Sequence, residues 1–180
     1  MGKDIPQKAT VEMVILVDEQ NNEIGTAEKM YAHRHALLHR AFSILIFNKK
    51  GEMMLQERSV AKYHSGGLWT NACCGHTRPN EPLLNAAHRR LGEEMGFDCD
   101  LTEQFHFIYK VPLNNELSEH EYLTIFTGEY NGSFVVNPEE ADSWRWVSME
   151  SLKKELREKP EQFTFWFKLI MERFPQGHTY

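Results

Sequence analysis

The sequence predicts an α/β fold in which helices flank a mixed β-sheet, with a hairpin at the N-terminus and helices added at the C-terminus. Three observations support it: strand-like apolar segments in both halves, one strongly periodic helix between them, and two helical segments at the end. A chain of 180 residues suffices for one sizeable core but is short for two. We therefore predict a flexible N-terminus over residues 1–10 and one folded domain over residues 11–180.

The first four strands are predicted as two hairpins. One joins VEMVILVD to EIGTAEK through DEQNN, and the other joins AFSILIFN to EMMLQER through the turn NKKG. Aliphatic and β-branched runs on either side of polar turn residues are typical of hairpins. The stretch HSGGLWTNACCGH follows and, because of its glycines, predicts a loop.

The central helix is predicted to begin after Glu81 and to end at Gly96, which suits a helix C-cap. Its apolar residues recur at helical spacing, at Leu84, Ala87, Leu91 and Met95. The remaining segments predict strands in FHFIYKV, EYLTIFTGEY and WRWV, then helices in SMESLKKELRE and FTFWFKLIMERF. Strands on both sides of a helix predict a mixed sheet with helices against it.

Composition excludes several classes of function. The formal net charge of −6 argues against a general nucleic-acid or anionic-membrane surface, since those need a positive field. Glu12 and Asp18 interrupt the apolar run VEMVILVD, so neither a signal peptide nor a spanning helix is predicted. The chain has three cysteines, two of them adjacent, which predicts reduced thiols rather than disulfides. We expect a cytoplasmic protein that is a monomer or weak homodimer.

A spaced motif spans residues 75–97, in the segment GHTRPNEPLLNAAHRRLGEEMGF. Five residues separate Gly75 from Glu81, and seven separate Glu81 from Arg89. This frame resembles the Nudix box, a loop followed by a carboxylate-bearing helix that holds Mg²⁺ against a diphosphate. Arg90 stands where that family usually has a glutamate. The substitution suggests a site that binds a diphosphate without cutting it.

Side chains of the box helix support this interpretation. Arg90 and Glu94 lie about 40° apart on a helical projection, while Glu93 points further round. An ordinary solvated ion pair between residues four apart is the alternative. Because Cys74 and His76 stand just before the helix, beside glycines that allow close backbone approach, we favour a functional role.

A second group of candidates centres on Glu119-His120-Glu121. Strand alternation sends Glu119 and Glu121 to one face, where two carboxylates repel unless a cation or a proton lies between them. Upstream, His33 and His39 bracket RHALL, and His35 competes with His33. Three histidines with two carboxylates would form a five-ligand site for Zn²⁺, Mn²⁺ or Mg²⁺ if the fold brings them together. Taken singly, each histidine could instead be an ordinary surface or core residue.

Four segments in order, HRAFSILIFN, GLWTNACCGH, RRLGEEMGF and EHEY, resemble type 1 isopentenyl-diphosphate isomerases. The resemblance covers roughly residues 11–170. That family has a Nudix fold and interconverts isopentenyl and dimethylallyl diphosphate. The resemblance therefore implies an isomerase of isoprenoid biosynthesis whose substrate is a small alkenyl diphosphate.

The resemblance also implies residue roles. Cys74 matches the catalytic thiol, which leaves Cys73 dispensable, and Glu121 matches the catalytic carboxylate with Tyr109 beside it. Glu94 matches the ligand of a Mg²⁺ carried by the substrate diphosphate. The second metal site is implied at His33, His39, His76, Glu119 and Glu121. The substrate-binding residues are implied to be Lys29, Arg58, Lys62, Arg90 and Trp166.

These residue types suit the movement of a double bond, which needs a proton delivered on one side of an alkene and another removed on the other. We assign the acid to the Glu121–Tyr109 pair and the base to a Cys74 thiolate, in a reversible reaction that can exchange these roles. Trp166 would stabilise cationic character by roughly 1–2 kcal/mol. The alternatives are an inert buried thiol at Cys74 and a core side chain at Trp166.

Two rival functions remain open at this point. A Nudix hydrolase acting on a nucleoside diphosphate derivative is opposed by Arg90 and would release phosphate or a nucleoside monophosphate. A non-catalytic module that uses the histidines and glutamates to hold a structural metal predicts that Cys74 has no role in any reaction.

Overall fold

A computed structural model describes residues 11–62, 64–113 and 116–174 of the chain. The segment predicted to be flexible, residues 1–10, lies outside these ranges. Within them a nine-stranded mixed sheet is flanked by helices, which confirms the predicted α/β architecture.

The first half of the chain supplies six strands and two helices. They are β1 (Met13–Val17), β2 (Glu23–Glu28), α1 (Lys29–Arg34), β3 (His39–Phe47), β4 (Met53–Arg58), β5 (Trp69–Asn71), β6 (Cys73–His76) and α2 (Leu83–Met95). The second half supplies β7 (Thr102–Pro112), β8 (Ser118–Glu129), β9 (Ala141–Val147), α3 (Met149–Glu158), a 3₁₀ turn (Pro160–Gln162) and α4 (Phe165–Arg173).

Strand β3 is central to the sheet that carries the site. It pairs antiparallel with β6 and parallel with β8, and β8 pairs antiparallel with β7. Along these ladders Cys74 lies opposite Ser43, while Glu121 lies opposite both His39 and Tyr109. Because residues of one strand alternate between faces, all five side chains point to the same side of the sheet.

The first predicted hairpin is confirmed by antiparallel pairing of β1 with β2. The second is wrong beyond its turn, since β3 and β4 pair only between Phe47 and Met53. The turn itself closes with a hydrogen bond from Gly51 N to Asn48 O. The strands then diverge because β3 is paired with β6 and β8, whereas β4 is paired with β5 and β9.

Three other expectations fail. The predicted glycine-rich loop contains β5 and β6, whose hydrogen bonds are made to the distant strands β4 and β3. The strand predicted to run through Lys29 ends at Glu28, and α1 begins at Lys29. Leu84 is 42% exposed, so the buried stripe of α2 is formed by Ala87, Leu91 and Met95 with Ala86 instead.

Apolar side chains cover both faces of β3, which explains its nearly continuous apolar sequence. On one face Ala41 and Leu45 pack against a cluster that includes Phe163, Phe167 and Ile170 around α4. On the other face Phe42 and Ile44 pack beneath α2. The functional site therefore lies in a sheet that is held between two cores.

Replacing Gly96 by alanine is expected to destabilise the fold. Gly96 has φ of 74°, and an added Cβ would lie 2.2 Å from Val135 O. We expect the free energy of unfolding to fall by more than about 1 kcal/mol, measured by urea denaturation. Gly92→Ala is the matched control, since nothing lies within 4 Å of its added Cβ and alanine favours a helix interior. Equal shifts in the two variants would contradict this account of the cap.

Candidate active site

The adjacent thiols of β6 point to opposite faces of the sheet. Cys73 is fully buried in the core beneath α2, whereas Cys74 lines a cavity on the other side. Gly75, the next residue of β6, has no room for a side chain, because an added Cβ would lie 2.9 Å from Phe42 Cζ and 3.1 Å from Arg90 Cγ. Glycine at this position therefore lets α2 lie close to the strand that carries Cys74.

The cavity side of Cys74 is polar. Its Sγ lies 3.2 Å from Ser43 Oγ and 3.3 Å from Asn71 Oδ1. Burial nevertheless raises the pKa of Cys74 to about 11, although both hydrogen bonds oppose that shift. The thiol is thus protonated at neutral pH. This favours the reverse of the acid–base assignment made from the sequence, which began with a thiolate.

The Glu121 carboxylate lines the same cavity as Cys74. Tyr109 donates a hydrogen bond of 2.8 Å from its hydroxyl to Glu121 Oε2. Glu121 Oε1 lies 3.0 Å from His76 Nε2. Burial and the charge of Glu121 raise the pKa of Tyr109 well above its usual value, so the phenol keeps its proton. One carboxylate thus contacts both a fixed donor and a histidine.

The five residues predicted to form the second metal site lie together, and we call them the histidine–glutamate cluster: His33, His39, His76, Glu119 and Glu121. Overlapping sets of three from this group place their ligand atoms within 4.8 Å of one another. His39 Nε2 lies 3.3 Å from His76 Nε2, and His33 Nε2 lies 3.2 Å from Glu119 Oε2. His35, the competing candidate, stacks on Tyr31 at the surface instead.

Ring orientation shows that the cluster fits a cation. His33 Nδ1 lies 2.7 Å from Lys29 O, and His39 Nδ1 lies 2.8 Å from Leu37 O. A carbonyl accepts only, so each Nδ1 carries the proton and each Nε2 directs a lone pair toward the cluster. Lone pairs of nitrogen and carboxylate oxygen therefore converge, which is unfavourable without a positive charge between them.

Electrostatics within the cluster keep two of its histidines neutral. Burial lowers the pKa of His39 to about 4 and that of His76 to about 3. For His33, burial is outweighed by the Glu119 carboxylate, and its pKa is raised. Neutral imidazole is the form that coordinates metals. The described residues thus hold a buried donor set that could bind a divalent ion.

All four predicted cations line the cavity, at Lys29, Arg58, Lys62 and Arg90. Three of them contact carboxylates that sequence reasoning missed. Glu12 pairs with Lys29 at 2.9 Å, and Glu140 pairs with both Lys62 and Arg90. Neither carboxylate belongs to a motif, and only the fold brings them to the cavity.

Glu94 is buried beneath the cations. It accepts hydrogen bonds from Gln56 Nε2 at 3.0 Å and from Arg90 Nη2 at 2.5 Å. Burial raises the pKa of Glu94, and the Arg90 guanidinium opposes that shift. The ion pair predicted from helical spacing is therefore present, but it faces the cavity rather than solvent.

Trp166 belongs to both the core and the cavity. It is 5% exposed, and its Nε1 donates to Thr70 Oγ1 at 3.0 Å. The Arg58 guanidinium lies 5.2 Å from the ring centroid.

One further residue next to Trp166, His64, was missed because the segment around it was interpreted as a glycine-rich loop. Its Nε2 lies 3.2 Å from Glu119 Oε1, and burial lowers its pKa to about 4.

The fold and the arrangement of the box helix define a Nudix domain. The Nudix domain profile matches residues 37–167. A protein from Deinococcus radiodurans superposes with a TM-score of 0.77 at 18% identity, over 92% of this chain and all of that one. The MutT protein from Methanosarcina mazei superposes with a TM-score of 0.61 at 24% identity, over 76% of this chain and 92% of that one.

Similar proteins of known name identify the family within the Nudix superfamily. "Isopentenyl-diphosphate Delta-isomerase 2" from Aromatoleum aromaticum is 48% identical over 90% of this chain and 86% of that protein. "Isopentenyl-diphosphate Delta-isomerase" from Burkholderia multivorans is 46% identical over 90% of this chain and 92% of that protein. The chain therefore belongs to the type 1 isopentenyl-diphosphate isomerase family of the Nudix superfamily. In the part of the chain that the structure describes, no helix has the length and apolar character needed to cross a bilayer.

Proposed function

We propose that the protein interconverts isopentenyl diphosphate and dimethylallyl diphosphate by adding a proton to one side of the alkene and removing one from the other. The observation that carries the proposal is the shared cavity, which Cys74 and Glu121 line together with the four cations. We further propose that the protein is cytoplasmic and acts on this small molecule as a monomer or weak homodimer.

Proton transfer begins from the resting protonation states. Cys74, held as a thiol by burial, donates its proton to the terminal alkene carbon, and cationic character develops on the branched carbon. Glu121 removes a proton from the neighbouring carbon, while the Tyr109 hydrogen bond fixes the orientation of its carboxylate. In the reverse direction the two groups exchange roles. His76 contacts Glu121 Oε1 and Tyr109 donates to Glu121 Oε2, so both oxygens of this carboxylate are held in place.

The surrounding side chains restrict the fate of the intermediate. The indole of Trp166 stabilises positive charge at its face by roughly 1–2 kcal/mol. The apolar core behind that indole keeps water away from the hydrocarbon end, where water would otherwise capture a carbocation. The polar end of the cavity, with Lys29, Arg58 and Lys62, holds the diphosphate.

Two groups of residues could hold divalent ions. The histidine–glutamate cluster would hold Zn²⁺, Mn²⁺ or Mg²⁺, and Glu94 would contact a Mg²⁺ that arrives with the diphosphate. Bound there, divalent ions would supply positive charge that offsets the cluster carboxylates and the diphosphate. Arg90 takes the place of a carboxylate of the hydrolytic Nudix box and pairs with Glu94, which argues against diphosphate cleavage.

Proton NMR in deuterated water tests the reaction. Isopentenyl diphosphate incubated with the protein and Mg²⁺ is expected to yield the dimethylallyl isomer with deuterium in its new methyl group. Release of phosphate would instead identify a hydrolase. Unchanged substrate, with metal bound, would identify the non-catalytic metal-binding module.

A further inference from the structure

His64 lies where the histidine–glutamate cluster meets the tryptophan wall of the cavity. Its side chain is 6% exposed and lines the cavity. The ring stands edge-on to Trp166, with 5.8 Å between centroids, and on its other side its Nε2 lies 3.2 Å from Glu119 Oε1. One imidazole therefore contacts both a cluster carboxylate and the wall that faces the substrate.

The two oxygens of Glu119 have different surroundings. Oε1 lies beside His64, whereas Oε2 lies 3.2 Å from His33 Nε2. Within the described residues Oε2 is buried and accepts no hydrogen bond. Oε2 is therefore the oxygen available to a cation in the cluster, while Oε1 is next to His64 Nε2.

His64 could contribute to the cluster in two ways. Its ligand atom, with those of His33 and Glu119, lies in a set within 4.8 Å, which would allow direct coordination. Alternatively, a proton on Nε2 would make His64 a donor that orients Glu119. The partner of the second ring nitrogen distinguishes these roles, because it determines which nitrogen carries the proton.

That partner differs from those of the predicted ligands. His33 and His39 each place Nδ1 against a backbone carbonyl, which leaves a lone pair on Nε2. His64 Nδ1 instead lies 3.2 Å from Ser65 Oγ, a hydroxyl that can donate. With Ser65 as the donor to Nδ1, the proton of His64 resides on Nε2 and is directed at Glu119 Oε1.

We propose that His64 is a positioning residue that donates a hydrogen bond to Glu119 Oε1 and so directs Oε2 into the metal site. This inference rests on the metal site of the proposed function but extends beyond its five ligands. The edge-on contact with Trp166 restricts rotation of the imidazole ring beside Glu119. Outer partners of metal ligands typically change metal affinity about 10–100-fold.

Titration of the chelator-treated protein with Co²⁺, followed by its visible absorption bands, tests the role without reference to turnover. His64→Leu keeps side-chain bulk and removes the donor, and we expect Co²⁺ to bind about 10–100-fold more weakly with unchanged band positions. His64→Gln keeps an N–H donor and is expected to recover most of the affinity. His88→Ala is the control, since His88 pairs with Asp98 away from the cavity.

Other results of the titration overturn the proposal. Unchanged affinity in His64→Leu would show that His64 does not act on the metal site, and shifted bands would show that it is itself a ligand. If His64→Leu does not fold, His64→Gln decides. Glutamine keeps a donor, so Co²⁺ binding about 10–100-fold weaker in folded His64→Gln would contradict the proposal. Wild-type protein that binds no Co²⁺ would refute the metal site as well, whereas Co²⁺ binding without isomer formation would refute only the reaction.

Discussion

Cys74→Ala is expected to lower turnover of isopentenyl diphosphate by at least about 10²–10⁴-fold, the usual range for loss of a positioned acid or base. The thiol at this position is held protonated by burial and lies between Ser43 and Asn71 at the cavity wall. Alanine removes the transferable proton without adding volume. Isomer formation followed by NMR, with circular dichroism and metal content as checks on the fold, measures the effect.

Cys73→Ala is the matched control for this experiment. Cys73 is the adjacent residue, but it is fully buried beneath α2 and faces away from the cavity. We expect its turnover to stay near that of the wild type, with a modest loss of stability from the missing sulfur. Equal turnover in Cys74→Ala and Cys73→Ala would refute the role assigned to Cys74 and favour an inert buried thiol.

The catalytic role of Cys74 stays a prediction, but the placement of the two cysteines bears on what the sequence could predict. Motif order distinguished Cys74 from Cys73, and strand alternation then explains why adjacent residues have such different surroundings. Helix α2 was predictable because its apolar stripe and Gly96 are local signals. Family membership followed from four motifs in order, and the similarity to named relatives confirms it.

The missed features depend on contacts between distant parts of the chain. Strands β5 and β6 were hidden in a glycine-rich segment because only their pairing with β4 and β3 makes them strands. His64 and Glu140 are ordinary loop residues in sequence, and the fold alone places them beside Glu119 and Arg90. Closure of the histidine–glutamate cluster likewise requires parallel pairing of β3 with β8, which no local pattern encodes.

Glu121→Gln is expected to abolish isomer formation and to weaken metal retention together. The carboxylate contacts His76 through Oε1 and Tyr109 through Oε2, so it belongs to both the cluster and the proton-transfer pair. Glutamine keeps an oxygen for Tyr109 but loses the negative charge and the capacity to take up a proton. We expect turnover to fall by at least about 10²–10⁴-fold. Metal analysis after dialysis measures the second effect.

Two further variants separate these effects. Tyr109→Phe removes the donor to Oε2 and leaves the carboxylate beside the histidines, so we expect a smaller loss of turnover with metal content unchanged. Glu129→Gln neutralises an exposed carboxylate at the far end of the same strand and should change neither quantity. If Glu121→Gln lost its metal yet kept turnover on adding excess Mg²⁺, the carboxylate would be a ligand only, and the group that accepts the proton would have to be sought elsewhere in the cavity.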